Sequence, residues 1–334
     1  MKKYSNKKAI IIGYGGMGKR YEIALKKLGI KIEYICDKKD FKFKQYLFVK
    51  NYKDLLDKKV NLVCIVTDTQ TRKKILFDFL KYSKVENFII EKPLANSLKD
   101  TYQIKKYVKK YKKRILVNTF RSMSGNFKEI KKIFKKYNEE IKSIYVNSPS
   151  AGIGNMGSVF FDLCNYLLGT KIKNVYGILD KTNTPNPRGK KYKDPGCRGF
   201  LEYQKNKRVF FDLSEDTAMP YRFIIKSRNI EFFIEEINNI FYYYLRDGKM
   251  LKKPNYFYLF KPKKINIKAR EKFNPALQTT NTIKNIFNKN YKSNLEDSVK
   301  VMEIIFAIKA SSLNNSIMKL PMKNKYYNLN FNFA

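Results

Sequence analysis

The tripeptide Glu91-Lys92-Pro93 carries the side chains of this sequence best suited to catalysis. It directly follows Asn87-Phe88-Ile89-Ile90, a short apolar run that predicts a buried strand. Open α/β sheets bind ligands in the crevice at the carboxyl ends of their strands, so we expect the Lys92 amine to lie near a substrate oxygen. A surface charge pair before a turn is the alternative interpretation, and the position after a central strand argues against it.

A glycine-rich segment nearer the N-terminus predicts a nucleotide site. Gly13-Tyr14-Gly15-Gly16-Met17-Gly18 follows an apolar run and opens a stretch with helical periodicity. Glycines in this pattern permit a tight turn and let a pyrophosphate approach free backbone N–H groups at a helix N-terminus. We therefore assign the segment to cofactor binding; a plain glycine turn in another α/β fold is the alternative.

Asp37 bears on which dinucleotide this turn binds. It ends the next predicted strand, nineteen residues after Gly18, where a carboxylate accepts a hydrogen bond from a ribose 2′-hydroxyl. A carboxylate repels a 2′-phosphate, so NAD is favoured over NADP. Lys38 and Lys39 could hold that phosphate, and they keep NADP open.

The segment Thr67-Asp68-Thr69-Gln70 ends a further predicted strand. We expect it to reach the ribose and nicotinamide side of the cofactor. A cluster that caps the N-terminus of the next helix is the alternative interpretation, and the two roles are compatible.

The elements that position these residues alternate between strand and helix over the first 120 residues, which implies a doubly wound parallel sheet with helices on both faces. The predicted strands cover 8–12, 32–36, 62–66, 88–90 and 115–117, and the predicted helices cover 18–28, 72–80 and 98–111. We therefore predict a Rossmann domain over residues 1–120.

The remainder of the chain has a different pattern, which predicts a second α/β domain over residues 121–334 with an open, mostly antiparallel sheet. This domain would bind substrate and form oligomers. The predicted helices cover 126–136, 157–168 and 295–313, and the predicted strands cover 143–146, 209–213, 223–226, 231–234 and 256–260. Gly196-Cys197-Arg198-Gly199, with Arg188, is expected to be a solvated basic loop; a cover that holds an anionic substrate is the alternative.

Composition argues against several other classes of function. Lys and Arg number 70 against 29 acidic residues, a formal charge of +41, but the lysines are spread over the whole length. This distribution favours a solvated lysine coat over a specific nucleic-acid site.

No apolar stretch approaches the ~20 residues that cross a bilayer, and the N-terminus lacks a signal-peptide core, so we expect a cytoplasmic protein. The four cysteines lack metal-ligand spacing, and we expect no metal site.

Taken together, the motifs resemble the glucose–fructose oxidoreductase and inositol dehydrogenase (Gfo/Idh/MocA) family over nearly the whole length. The resemblance rests on the glycine turn, Asp37, Thr67, Glu91-Lys92-Pro93, Val117-Asn118-x-x-Arg121, residues 154–162 and residues 293–321. It implies a substrate cleft between the domains and hydride transfer at a carbinol or keto carbon of a sugar, cyclitol or nucleotide-sugar. It also implies a homo-oligomer formed through the open sheet, and glycan biosynthesis is one pathway that suits such an activity.

The resemblance, together with the residue patterns, assigns roles to single side chains. Lys92 and Asp162 are expected to be catalytic. Contacts to substrate are expected from Lys92, Arg121, Asn155, Val159 and Asp162. Contacts to cofactor are expected from Gly13, Tyr14, Gly15, Gly16, Met17, Gly18, Asp37, Thr67, Thr69, Glu91, Lys92 and Asn118.

Three positions depart from the family pattern. Family dehydrogenases usually carry an acid where Asn155 stands and, where Val159 stands, a histidine that exchanges the hydroxyl proton. This sequence contains no histidine, and Arg72 stands where relatives often carry another one. The spacing of Asn155, Val159 and Asp162 predicts one helix face directed at the cleft. Lys92 is the leading replacement for the histidine, because burial lowers a lysine pKa, and Asp162 is second.

Two functions therefore stay open. The first is an NAD(P)-dependent oxidoreductase with Lys92 as its principal polar catalyst. The second is a catalytically silent, cofactor-binding sensor or partner subunit, which the missing acid–histidine pair favours. Replacing Asn155 by Asp together with Val159 by His would discriminate the two, since restored activity would indicate decay from an enzyme.

Overall fold

Among the residues that the structure describes, two sheets organise the chain. The computed structural model describes residues 3–149, 152–181, 186, 188–217, 220–254 and 261–333. The strands of the first sheet are β1 (Lys8–Ile12), β2 (Lys31–Cys36), β3 (Leu47–Val49), β4 (Leu62–Ile65), β5 (Asn87–Ile90) and β6 (Arg114–Val117). They are all parallel and run in the order β3-β2-β1-β4-β5-β6.

Helices α1 (Gly16–Leu28), α2 (Thr69–Tyr82) and α3 (Leu98–Tyr111) connect these strands. The strand β4 is buried at every position, as expected where helices cover both faces of a parallel sheet. Helix α1 ends at Gly29, whose φ of 78° is the left-handed conformation that favours glycine. The strand order reverses between β1 and β4, and ligands of this fold bind at such a reversal.

The second sheet is open and mostly antiparallel. In the described residues its strands are β7 (Ser143–Asn147), β8 (Ile172–Leu179), β9 (Cys197–Tyr203), β10 (Lys207–Leu213), β11 (Arg222–Lys226), β12 (Ile230–Glu235), β13 (Ile240–Leu245), β14 (Lys263–Asn266) and β15 (Met318–Lys319). The order is β14-β13-β12-β11-β7-β10-β9-β8-β15, and β7 and β10 are a parallel pair.

One face of this sheet packs against helices. The strand β10 alternates buried and exposed residues, since successive side chains of a strand point to opposite faces. The helices of this half are α4 (Gly125–Lys136), α5 (Ser158–Leu168) and α7 (Leu295–Asn314). Helix α7 contacts β8, α5 and α3, so it joins the two sheets.

Helix α6 (Pro275–Ile286) returns to the first sheet. Its residues Ile283 and Ile286 are fully buried in one apolar cluster with Tyr21 and Leu25 of α1. No periodicity in the sequence had indicated this helix. The division of the chain after residue 120 stays a prediction, and this helix packs across it.

The fold class predicted from the sequence is confirmed, and most predicted elements match within two residues at each end. One interpretation was wrong: residues 197–199 belong to β9 and are not a loop. The predicted strand at 256–260 lies outside the described residues. None of the helices in the described part of the chain combines the length and apolar character needed to span a bilayer.

Candidate active site

The glycine turn after β1 is held by two glycines that could not be replaced without a clash. Gly13 has a φ of 94°, and a Cβ there would lie 2.8 Å from the carbonyl carbon of Val66. A Cβ on Gly18 would lie 2.3 Å from the carbonyl oxygen of Gly13. The Gly13 N–H donates to the carbonyl oxygen of Cys36 at 2.8 Å. These contacts pack the turn between β1, β2 and α1.

Gly15 and Gly16 differ from these two because a Cβ on either would meet no atom within 4 Å. Gly15 is the N-cap of α1, and within the described residues no side chain caps this helix and no acid lies in its first turn. A helix N-terminus with free N–H groups and open space above it suits a diphosphate. Met17, partly buried, is the next residue along the turn.

Asp37 lies beside this turn. Its carboxylate accepts hydrogen bonds from the backbone N–H of Tyr14 at 2.6 Å and of Lys39 at 2.9 Å. A carboxylate has about four lone-pair directions, so two remain for ribose hydroxyls. The Tyr14 side chain packs in an aromatic cluster, with its ring centroid 5.2 Å from that of Phe41 and 5.0 Å from that of Phe43.

Lys92 lies at the carboxyl end of β5. Its Nζ donates to the backbone carbonyl oxygen of Asn155 at 3.0 Å and also to the Oδ1 of the same residue. Burial lowers the pKa of Lys92 to about 8, an effect that the charges of Glu91 and Asp194 oppose and those of Arg188 and Arg72 reinforce. Both protonation states of the amine are therefore accessible near neutral pH.

Glu91 and Asn118 form a buried hydrogen-bond network beneath this lysine. The Glu91 Oε1 accepts from Tyr21 Oη and from Asn118 Nδ2, each at 2.8 Å. The Asn118 Oδ1 in turn accepts from Thr282 Oγ1 at 2.8 Å. The network ties the ends of β5 and β6 to α1 and α6. Glu91 and Asn118 are thus held behind the site, and their expected cofactor contacts stay predictions.

Part of the chain is similar in sequence to a known family. Residues 7–119 match the family model GFO_IDH_MocA, described as an oxidoreductase family with an NAD-binding Rossmann fold. The match spans the six strands of the parallel sheet. Comparison with curated protein sequences returns no match.

Solved structures with the same fold cover nearly the whole chain. Levoglucosan dehydrogenase in complex with NADH and L-sorbose has a TM-score of 0.77 at 15% identity, over 95% of this chain and 99% of that one. An oxidoreductase from Agrobacterium radiobacter in complex with NAD+, L-tartaric acid and magnesium has a TM-score of 0.74 at 14% identity, over 94% and 98%. An NAD-binding protein from Listeria innocua has a TM-score of 0.70 at 17% identity, over 98% and 99%.

Residues 152–162 include the positions at which the sequence departs from the family that it resembles. Residues Gly152–Gly157 form a π-helical turn before α5. The turn runs directly into α5, which begins at Ser158. Asn155 contacts Lys92, whereas Val159 and Asp162 are buried in α5. Asn155 thus reaches the amine of Lys92, and the common face of Asn155, Val159 and Asp162 directed at the cleft stays a prediction.

Asp162, predicted to be catalytic, is buried against the 3₁₀ helix Phe120–Met123. Its Oδ2 accepts a hydrogen bond from Ser122 Oγ at 2.5 Å. Burial raises the pKa of Asp162 to about 7, and the other charges that act on it, Asp297 and Lys300, belong to α7. Its surroundings are therefore distinct from those of Lys92, and the structure favours a packing role.

Arg121, predicted to bind substrate, is fully buried. Its Nε donates to Glu236 Oε2 at 2.8 Å, and its guanidinium lies 4.7 Å from the ring centroid of Tyr221 and 4.8 Å from that of Phe160. Within the described residues its Nη1 and Nη2 have no hydrogen-bond partner. An arginine enclosed by rings and an ion pair is not accessible to a substrate, so the geometry disfavours that role.

The end of β4 also differs from expectation. Asp68 caps α2 by accepting from the Thr71 N–H at 2.9 Å, and Thr69 Oγ1 donates to the carbonyl oxygen of Phe333 at 2.9 Å. The side chain of Thr69 is therefore engaged away from a cofactor, while Thr67 stays partly exposed. Arg72, where relatives often carry histidine, donates to the carbonyl oxygens of Thr67 and Pro93.

Asp194 is a site residue that sequence reasoning missed. Its carboxylate accepts from the backbone N–H of Gly154 at 2.7 Å and of Asn155 at 2.9 Å. Burial raises the pKa of Asp194 to about 6. The contact joins residues forty positions apart in an irregular loop, and no sequence motif marks it. In the predicted basic segment nearby, the Arg198 side chain forms ion pairs with Asp180 and Asp216.

Proposed function

We propose that this protein is an NAD(P)-dependent oxidoreductase that transfers a hydride to or from a carbinol or keto carbon of a sugar-like molecule. The position of Lys92 carries the proposal. Its amine lies at the carboxyl end of β5, on the edge of the sheet where the glycine turn follows β1. Both strands flank β4, so a dinucleotide bound at the turn and a substrate bound at Lys92 would lie side by side.

The residues around the glycine turn fit a dinucleotide. The open space at Gly15 and Gly16 and the uncapped start of α1 would receive the diphosphate. The Asp37 carboxylate would accept from a ribose hydroxyl, which favours NAD, although the exposed Lys38 and Lys39 keep NADP open. When bound, the nicotinamide ring supplies the acceptor or donor of the hydride.

Lys92 would move the proton that accompanies the hydride. In oxidation its neutral amine accepts the hydroxyl proton of the carbinol, and in reduction its ammonium form donates that proton to the keto oxygen. A pKa of about 8 lets the amine do either near neutral pH. This role needs no histidine, which is the residue that the sequence lacks.

The class of substrate is supported by proteins of the same fold. Levoglucosan dehydrogenase is bound to NADH with levoglucosan or with L-sorbose, and the oxidoreductase from Agrobacterium radiobacter is bound to L-tartaric acid. These are polyhydroxylated molecules. We include sugars, cyclitols and nucleotide-sugars as candidate substrates, the last because glycan biosynthesis is a candidate pathway.

Turnover of a substrate panel tests the proposal. Purified protein is mixed with NAD, NADP, NADH or NADPH and with each candidate, and absorbance of the reduced nicotinamide is followed. We expect turnover with at least one polyhydroxylated substrate. Lys92→Ala should lower kcat by ~10²–10⁴-fold while the cofactor dissociation constant stays unchanged, because the amine acts on the substrate oxygen. Lys109→Ala, which removes an exposed lysine of α3, is the matched control. Unchanged kcat in Lys92→Ala would contradict the role of the amine.

The second candidate function is a catalytically silent sensor or partner subunit of the same fold. Asn155 and Val159, in place of the acid and histidine of active relatives, favour it. In that case NAD(H) should raise the melting temperature while no substrate oxidises or reduces it. The exchange of Val159 for histidine does not discriminate the two functions, because Val159 is fully buried and a histidine there would be confined in the apolar core.

We also propose that the exposed face of the second sheet forms an interface with a second copy of this chain. Tyr145 of β7 and Phe210 of β10 stack at 5.1 Å on this face, and Ile178 and Ile240 are exposed on strands of the same sheet. Apolar side chains gathered on one face typically mark an association surface.

A further inference from the structure

The amine of Lys92 has an unusual set of acceptors, because both belong to one uncharged residue. The carbonyl oxygen of Asn155 lies 3.0 Å from Nζ, and the amide Oδ1 of Asn155 is the second acceptor. Two acceptors match the two N–H groups of a neutral amine and leave its lone pair free. They equally hold two of the three N–H groups of an ammonium and leave the third for a substrate oxygen.

Asp194 fixes the conformation of Asn155. Its two carboxylate oxygens accept from consecutive backbone N–H groups, those of Gly154 and Asn155. A Cβ on Gly152, which has a φ of 83°, would lie 2.1 Å from the Asp194 Cγ, so the carboxylate fills the space over that glycine. The Ile153 N–H also donates to the carbonyl oxygen of Pro195 at 2.8 Å. The turn is thereby clamped by the loop between β8 and β9.

We propose that Asn155, fixed in place by Asp194, is the positioning residue that allows Lys92 to act as the proton-transfer group in a chain without histidine. The proposal deepens the proposed oxidoreductase function and rests on it for the meaning of the proton transfer. In this arrangement the acid of active relatives is replaced by an amide because lysine, and not histidine, moves the proton.

The decisive property of Asn155 is that its side chain carries no charge. A carboxylate at position 155 would form an ion pair with Lys92 and hold it as the ammonium, which cannot accept a proton from a carbinol. The amide and carbonyl oxygens of asparagine hold the amine without this bias. In oxidation the neutral Nζ would accept the proton of the carbinol hydroxyl, and in reduction the ammonium would return it to the keto oxygen; a bound nicotinamide would supply the acceptor or donor of the hydride.

The other charges near the amine are arranged in opposing pairs. Glu91 and Asp194 favour the ammonium, and Arg188 and Arg72 disfavour it. Burial outweighs these charges and lowers the pKa of Lys92 to about 8. A new negative charge at position 155 is therefore expected to shift the balance, since it would be in direct contact with Nζ.

The test is Asn155→Asp, which keeps the size and shape of the side chain. The titration of Lys92 is measured by competitive acetylation at a series of pH values, with mass spectrometry of the peptide that contains it. We expect the midpoint to move up by about one pH unit or more, so that acetylation of Lys92 at pH 7 falls about tenfold. The rising limb of kcat/KM for carbinol oxidation should move by the same amount, and activity should recover at higher pH. A purely structural role would lower activity without moving the limb.

The part played by Asp194 is tested with Asp194→Ala. Hydrogen exchange of the peptide covering 152–157 should become faster, and kcat should fall while the cofactor dissociation constant is unchanged. Asp180→Asn is the matched control, since Asp180 also accepts from a backbone N–H, that of Glu215 at 2.7 Å, and lies at the start of the same loop. Exchange and kcat should be unaffected in this control.

Acetylation and hydrogen exchange need no substrate, which separates this inference from the proposed function. An unmoved Lys92 titration in Asn155→Asp overturns the role of Asn155, whether or not turnover is found. Unchanged exchange in Asp194→Ala overturns the role of Asp194. Absence of turnover with every substrate, together with the expected shifts, would contradict the oxidoreductase proposal and leave the positioning of Lys92 supported.

Discussion

Burial shifts the pKa values of Lys92 and Asp162 in opposite directions for the same physical reason. A buried site disfavours the charged form of any group, so the pKa of a lysine falls and that of an aspartic acid rises. Here the pKa of Lys92 is lowered to about 8 and that of Asp162 is raised to about 7. Lys92 lies at the open end of the sheet, whereas Asp162 faces Ser122 inside the second domain. In the function that we propose, the first shift serves proton transfer, and we expect the second to affect the stability of the fold.

Asp162→Asn tests this assignment through the pH dependence of stability. Asp162 has a pKa of about 7 in the folded protein against an ordinary value of 3.8, so the folded state binds the proton more tightly than the unfolded chain. The stabilisation from this group is complete below the ordinary value and is lost as pH rises through about 7. Asparagine cannot titrate. The unfolding free energy of the wild type should therefore fall relative to that of the variant by a few kcal/mol over this window, measured by urea denaturation at each pH.

A suitable control for this experiment is Asp57→Asn, because the Asp57 side chain is 78% exposed. Its unfolding free energy should follow that of the wild type at every pH. The difference in unfolding free energy between the wild type and Asp162→Asn could instead stay constant over this pH range. In that case Asp162 would not have a raised pKa, and a group other than Ser122 would have to compensate for its burial.

Single residues were predictable from the sequence where a local motif marks them. Lys92 and Asp37 each follow an apolar run, and the structure places both at strand ends. Asp194 and Arg121 show the limit of that reasoning. The contact of Asp194 with Asn155 and the enclosure of Arg121 with Glu236 join distant segments, and nothing in the neighbouring residues of either indicates the partner.

In the glycine turn we expect one glycine to be needed for folding and another for cofactor binding. A methyl group on Gly18 would collide with the backbone of Gly13, which cannot rotate away as a side chain could. Gly15 has ordinary backbone angles, with φ −74°, and open space around it. We therefore expect Gly18→Ala to destabilise the protein by roughly 1–3 kcal/mol and Gly15→Ala, at the N-cap of α1, to cost at most about 1 kcal/mol. Gly15→Ala should nevertheless weaken NADH binding at least tenfold, because the methyl group would occupy the space for the diphosphate.

Thermal unfolding and titration of NADH fluorescence measure the two effects on the same samples. The variants serve as controls for each other, since both add one methyl group to the same turn. Wild-type NADH affinity in Gly15→Ala would show that the diphosphate does not lie at this turn, and an unaltered melting temperature in Gly18→Ala would show that the turn adapts.

Regular elements were easier to predict than the way in which they associate. Alternating strands and helices with clear apolar periods gave β1, α3 and α7 nearly to the residue. Helix α6 was missed because its sequence is rich in Thr and Asn, and its burial depends on contact with α1 in another part of the chain. The π-helical turn at 152–157 was also missed, since two of its N–H groups donate to Asp194, about forty residues further along the chain.

The two halves of the molecule are joined by segments from the far end of the chain. The carbonyl oxygen of Phe333 accepts from Thr69 at the start of α2, and a Cβ on Gly154 would lie 2.5 Å from the Phe333 ring. Helix α7 contacts both α3 and α5. The turn that holds Lys92 is thus braced from the first sheet, the second sheet and the C-terminal segment, which suits a site that needs a fixed amine.

The exposed aromatic face leads to a prediction about the assembled protein. Side chains of Tyr145 and Phe210 are 40% and 37% exposed although they stack on each other, and they lie near the middle of the second sheet. If this face joins two copies, Tyr145→Lys with Phe210→Lys should convert an oligomer to a monomer, because four lysines would meet across a two-fold interface. Size-exclusion chromatography with light scattering measures the mass against 39.6 kDa for one chain. Ile23→Lys, at a 56% exposed isoleucine of α1, is the control and should keep the oligomer. A wild-type protein of one-chain mass, or a double variant that keeps the oligomeric mass, would exclude this face as the interface.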